Sequence, residues 1–301
     1  MACGGRLSLS DFWLDHEDPS LFAKSQWPIH RFIYLAWRLI LALYLLAWLV
    51  VALMNEANIG ASFVFLTDWT YTVLTLYAVS SCIGGFYFTF ASGGNRFITV
   101  YAESCGPQAT VGDPSSTDSP SDVPHQPLLQ APPAHARPAV DEACRPRLPH
   151  YFKLVWLLFN ICLAVNPIVT VVFWSFLVPA RQSALDWAIN INTHALNTAF
   201  IYVDLVLSAL PVRPVHFIYG SLYGSFYVVF TLIYFWAGGV NPETKGTAIY
   251  PNILDWSQAG RSALCVLAIV AVEPIVYLAG YGVYRLRDFT HRRYFSTYAS
   301  A

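Results

Sequence analysis

Charge is what this chain has least of. Asp, Glu, Lys and Arg make up 12% of its 301 residues, against about 25% in a soluble globular protein. Half the usual share cannot coat a soluble body of this size, so that class is excluded. The same composition, 56% hydrophobic and 16% aromatic, excludes a disordered chain, a collagen and a small disulfide-rich secreted fold. The formal net charge of -1 supplies no basic field, so no nucleic-acid partner is expected.

Other absences narrow the chemistry. Residues 1–31 are polar and lack the short apolar core of a secretory signal. No CxxC or Cys/His spacing occurs, so no metal site is expected. The six cysteines fall in helices or in segments read below as cytosolic, which argues for reduced thiols. There is no N-x-S/T sequon, GxSxG elbow, HExxH, P-loop or GxGxxG, and no cofactor is expected. Neither the matched halves of a transporter nor a channel filter loop is visible.

Long apolar runs are abundant. A bilayer core about 30 Å thick takes roughly 20 residues of helix. Six segments qualify: 32–54, 62–91, 152–178, 186–210, 215–237 and 261–285. Their continuity speaks against the short alternating strands of a β-barrel. The reading is an all-α, polytopic membrane bundle of six transmembrane helices. One side carries 13 Lys and Arg, the other 3, and Arg38 lies within the first helix. The positive-inside rule then places both termini in the cytosol. The division along the chain is a cytosolic tail 1–31, helices 1–2 at 32–91, a cytosolic loop 92–151, helices 3–6 at 152–286, and a tail 287–301. The loop is rich in Pro, Ser and Asp and lacks aromatics between Tyr101 and Tyr151. Such a segment cannot bury enough apolar surface to order itself.

Polar side chains at membrane depth cost about 2.5–3.5 kcal/mol when charged, so they mark candidate sites. Asn190, His194, Asn197, Asp204 and Ser208 recur at helical spacing in the fourth segment and form one inward stripe. Thr67 lies near the outer end of the second. Glu273 sits mid-way along the sixth, before a helix-kinking Pro274. Asn160, Asn190 and Ser208 read better as hydrogen-bonding glue between helices. Asp204 reads chiefly as structural, either protonated or paired with Arg213 or Arg38. Gly220 and Gly224, at GxxxG spacing, offer a helix-packing face.

Several stretches carry a resemblance. SLFAKSQWP (20–28), FVFLTDWTYTVLTLY (63–77), NTHALNTAFIYVDL (192–205), LPVRPVHFIYGSLYGSFYVVFTLIYFWAGGVNP (210–242) and IYPNILDW (249–256) resemble the rolling stone family of multipass membrane proteins. That family takes its name from a protein tied to myoblast fusion in flies. The resemblance implies a plasma-membrane role in cell–cell fusion or membrane organisation, with a lipid or a membrane protein as partner.

A more distant likeness is to the androgen-induced intramembrane hydrolases of fatty-acid esters. It implies a catalytic Thr at Thr67, within Phe65-Leu66-Thr67, and a catalytic His at the position of Asn197. An amide cannot take a proton from a hydroxyl as imidazole does. His194, one turn away, is the remaining base.

Three readings follow. The first is a non-enzymatic protein with a lipid-sized intramembrane cavity, with Asn197, Asn190, Asp204 and Glu273 as ligand-binding residues. The second is a threonine hydrolase using Thr67 and His194. The third is a transporter or channel built on Asp204 and Glu273.

Overall fold

The computed structural model describes residues 9–55, 59–91, 148–179 and 182–295. Its elements are helices, in the order the apolar runs dictate. Helix α1 spans Arg31–Asn55. Helix α2 spans Leu66–Phe86 and ends in a π-helical turn, Tyr87–Ala91. Helix α3 spans His150–Val172 and ends in a second π turn, Phe173–Leu177. Helix α4 is composite: Ala184–Ile191, a π turn Asn192–Leu196, then Asn197–Leu207. Helix α5 spans Phe217–Trp236 and helix α6 spans Ala259–Tyr294.

Five of these segments are long and apolar enough to cross a membrane. The sequence expects six, and the difference is α4. A π turn admits an extra residue and interrupts the α-helical ladder. Here that turn is also the polar one, with Asn192, Thr193 and His194 in succession. A Ser183–Asp186 capping box starts α4. It satisfies donors that a helix otherwise leaves open at its N-terminus.

Helix α3 is the central rod, packing against α2, α4, α5 and α6. Trp156, Phe159, Cys162, Leu163 and Ala164 on it are fully enclosed. Helices α1, α5 and α6 lie at the periphery. Their large exposed residues, among them Ile40, Leu43, Phe226, Ile233, Leu264 and Leu267, form the outer surface that hydrocarbon would cover.

The connections gather at two ends. One end joins residues 9–30, the start of α3, the α4–α5 connection and the last turns of α6. Here the expected tail 1–31 is, over its described part, a docked segment. Phe22 inserts against Phe152 and Trp156. The backbone of residues 24–26 exchanges hydrogen bonds with Leu207 and Ala209. Helix α6 also runs nine residues past its expected end at Arg285. Arg287 explains part of this. It is buried, and its guanidinium donates to the carbonyls of Leu205, Ser208 and Leu210 at 2.5–3.0 Å. Sequence reading counts such arginines as solvated loop charge. The cysteines Cys3, Cys105 and Cys144 and most of the 92–151 loop lie outside the described residues.

Candidate functional site

A cavity of about 120 Å³ lies at the junction of α3, α5 and α6 and the start of α2. Val165, Val169 and Phe173 come from α3, Gly220, Ser221, Gly224 and Ser225 from α5, and Cys265, Ile269 and Glu273 from α6. Tyr250, Ile253 and Leu254, in the connection before α6, close it at the end where α2 begins with Leu66 and Thr67. The walls are overwhelmingly apolar, as befits a site for an apolar ligand.

The two glycines of the GxxxG pair have different jobs. A Cβ on Gly220 would stand 2.3 Å from Cβ of Ala164 and 2.7 Å from Oε1 of Glu273. Hydrogen there lets α3 and α5 meet within the subunit. A Cβ on Gly224 would meet nothing within 4 Å, so this position opens into free space.

Glu273 is 4% exposed. Its Oε2 accepts a hydrogen bond from Ser221 Oγ at 2.6 Å. Its Oε1 has no hydrogen-bond partner in the protein.

The other expected site residues are distributed elsewhere. Thr67 lines the cavity; His194 does not. The imidazole lies flat on the ring of Phe173, with centroids 3.4 Å apart and planes 4° from parallel. Phe173 is itself a cavity wall, so its ring is interposed between the cavity and His194. Asn197 is fully buried. Its Oδ1 accepts from Thr170 Oγ1 at 3.1 Å and from the Thr198 amide at 2.5 Å. Asn190 donates to Gln182 at 2.8 Å, tying α4 to the loop before it. The expected single stripe is therefore divided by the π turn. His194, Asn197, Asp204 and Ser208 are buried, while Asn190 is half-exposed.

Asp204 takes one of its two expected partners, Arg38. Arg38 Nη1 donates to Oδ2 at 2.8 Å, with both side chains enclosed. Tyr77 also donates to that oxygen, and Tyr34 accepts from the guanidinium. Arg213, the other expected partner, instead donates to the carbonyls of Asp11, Trp13 and Asp15 and lies over Trp156. Asp204 and Glu273 share no hydrogen-bond partner.

Two features escaped sequence reading. Ser221 carries no motif, and only its place beside Gly220 on the packing face hints at its role. His216 is fully buried in a network with Asn160, Tyr277 and the carbonyl of Asp11. Nothing local announces it, because its partners come from three distant stretches. Asn160 does act between helices, accepting from Tyr277 at 2.6 Å. Among the described residues no group of His, Cys, Asp and Glu side chains has the arrangement of a metal site.

Comparison with known proteins fits this architecture. No solved structure matches the chain. Protein rolling stone of Drosophila melanogaster is 25% identical over 291 residues, covering 96% of this chain and 90% of the fly protein. The family model described as "Protein rolling stone" matches residues 136–301. That span holds α3 to α6 and most of the cavity wall, but not Thr67. The match covers more than half of the chain, which belongs to the rolling stone family.

Proposed function

We propose that this chain is a non-enzymatic plasma-membrane protein whose cavity takes the apolar end of a membrane lipid. Through that lipid it would serve membrane organisation or cell–cell fusion of the myoblast type, as the rolling stone resemblance implies. The observation that carries this reading is the make-up of the cavity: Thr67 is present, and the imidazole is not. A threonine hydroxyl is a weak nucleophile until a base takes its proton. His194 lies behind Phe173, and the Asn197 carbonyl oxygen is engaged by Thr170 and Thr198.

Size refines the expectation. An apolar cavity of about 150 Å³ holds a benzene-sized group. The volume of about 120 Å³ here suits part of one chain rather than a whole lipid. The clustering of the N-terminal segment, the α4–α5 connection and the end of α6 at one end supports one shared side for these segments, and the Lys/Arg bias favours the cytosolic one.

An activity-based probe for serine and threonine hydrolases, applied to the purified protein, tests the reading. No labelling above the Thr67→Ala background is expected. Labelling that disappears in both Thr67→Ala and His194→Ala would establish the hydrolase instead.

A further inference from the structure

The cavity opens sideways. Two of its lining residues also belong to the exposed surface, Ser225 on α5 and Val270 on α6, while the others are buried or half-buried. Its mouth therefore lies between α5 and α6. Behind Ser225, Gly224 contributes no side chain, and a Cβ there would meet nothing within 4 Å. Large apolar residues flank the mouth. Leu222, Phe226 and Val229 on α5 and Leu267 on α6 are 52–65% exposed. On a bundle that crosses a bilayer, a continuous apolar surface of this kind meets hydrocarbon. The occupant reaches the cavity from the membrane and not from water.

Depth identifies which part of a lipid stands at the mouth. Two exposed arginines, Arg261 and Arg285, bracket the apolar part of α6. They are about 36 Å apart along the axis, which suits a hydrocarbon core about 30 Å thick. Val270 lies within about 5 Å of the midpoint of that bracket, the depth at which acyl chains end. The cavity extends from there to one side. Its positions on α6, Cys265 to Glu273, fall in the half nearer Arg261, and those on α3 and its π turn run from Val165 to Leu177, the second half of that rod. Both halves lie away from the docked N-terminal segment.

We propose that the cavity is filled sideways, between α5 and α6, by the terminal carbons of a phospholipid acyl chain from the leaflet away from the docked N-terminal segment. This rests on the lipid-binding reading above and names the partner and its route. Volume agrees with depth. About 120 Å³ is close to the space of a benzene-sized group. A phospholipid can insert that much of one chain and keep its headgroup in the interface.

The test uses the full-length protein in liposomes, with a tag at its C-terminus to separate the two orientations. A phosphatidylcholine with a diazirine at the end of one acyl chain is exchanged into the outer vesicle leaflet alone. Labelled residues are then located by mass spectrometry. Leu222, Phe226 and Leu267 report ordinary bilayer contact, and Val228, Val266 and Ile269 report the cavity. The ratio of cavity to surface labelling is expected to be severalfold higher when the tag is sealed inside, which puts the probe in the leaflet away from the termini. A second phosphatidylcholine, with the diazirine next to the glycerol, is expected to label the surface positions only. Gly224→Leu, which puts a side chain into the open space, should abolish cavity labelling and leave surface labelling unchanged.

Cavity labelling that is equal in the two orientations and lost in Gly224→Leu would overturn the assigned leaflet and leave the lipid-binding reading standing. Surface labelling with no cavity labelling in either orientation would overturn both. Ser225→Trp, at an exposed position, carries the test should Gly224→Leu fail to fold. It should narrow the mouth and lower the cavity ratio, and an unchanged ratio would mean that the chain does not enter between α5 and α6.

Discussion

The two ends of this molecule differ in how much charge they bury. At the end where the N-terminal segment docks, charge is abundant and each arginine drawn inside has a protein partner. Arg38 meets Asp204, Arg287 gathers three carbonyls from the end of α4, and Arg213 gathers three from residues 11–15. Toward the other end a carboxyl group borders an apolar slot with one oxygen unanswered. The contrast is between charges that tie several elements together and a lone carboxyl packed beside an apolar pocket. Unpartnered atoms occur at both ends, Asp204 Oδ1 and Arg287 Nε among them.

Breaking the Arg38–Asp204 pair should have the largest effect. Asp204→Ala leaves the Arg38 guanidinium enclosed without its counter-charge, which costs about 3–5 kcal/mol. The expected outcome is a large fall in thermal unfolding temperature of the purified protein, with most of it recovered in the double variant Arg38→Leu/Asp204→Leu. A single variant as stable as the parent would mean that the pair is not a clamp.

The glycine pair gives the next largest effect and sharpens the comparison within one helix. Gly220→Ala forces a methyl group into Ala164 and Glu273 and should destabilise by about 1–3 kcal/mol, as overpacking does. Gly224→Ala meets open space and should be neutral or stabilising by up to about 1 kcal/mol from helix propensity. Thermal unfolding of the two variants side by side checks the split. Equal losses would show that both glycines pack helices.

This split shows how far the sequence could be read. The GxxxG spacing was visible, yet spacing alone cannot say which glycine touches a neighbour. The same holds for the fourth helix. Its polar residues recur at helical intervals, and most are buried. A π turn then shifts their phase and leaves Asn190 with a loop partner. Thr67 and His194 looked like one pair through the likeness to the hydrolases. A single ring, that of Phe173, stands between the cavity and His194, and no local pattern predicts that.

A smaller effect is expected at the docked N-terminal segment. Arg213→Ala removes the donors to Asp11, Trp13 and Asp15 and should loosen residues 9–16 without unfolding the bundle. Hydrogen exchange would report this as faster exchange confined to that segment. Unchanged protection would place the anchor elsewhere, at Phe22.

The smallest effect is pH-dependent. Partial burial, and then the nearby charge of Arg213, hold the pKa of His16 below its ordinary value. Its Nδ1 accepts a hydrogen bond from the Asp18 amide at 3.0 Å, a role open only to the neutral ring. A histidine with a depressed folded-state pKa stabilises fully above about pH 6.5 and progressively less below it. Docking of the segment should therefore weaken between pH 7.5 and 5.5, measured by the same exchange experiment, and His16→Phe should flatten that dependence. A pH-independent parent would remove His16 from the anchor.

The sequence by itself determined that this is a helical membrane protein, because spanning a bilayer needs only length, apolarity and satisfied backbone bonds, all of them local properties. It also pointed to the family, through the quoted stretches that resemble it. Only the tertiary structure decided which buried groups meet. Arg38 is 166 positions from Asp204 and Ser221 is 52 from Glu273. Such encounters depend on how helices rotate and pack against α3, a question settled by side-chain shape across the bundle.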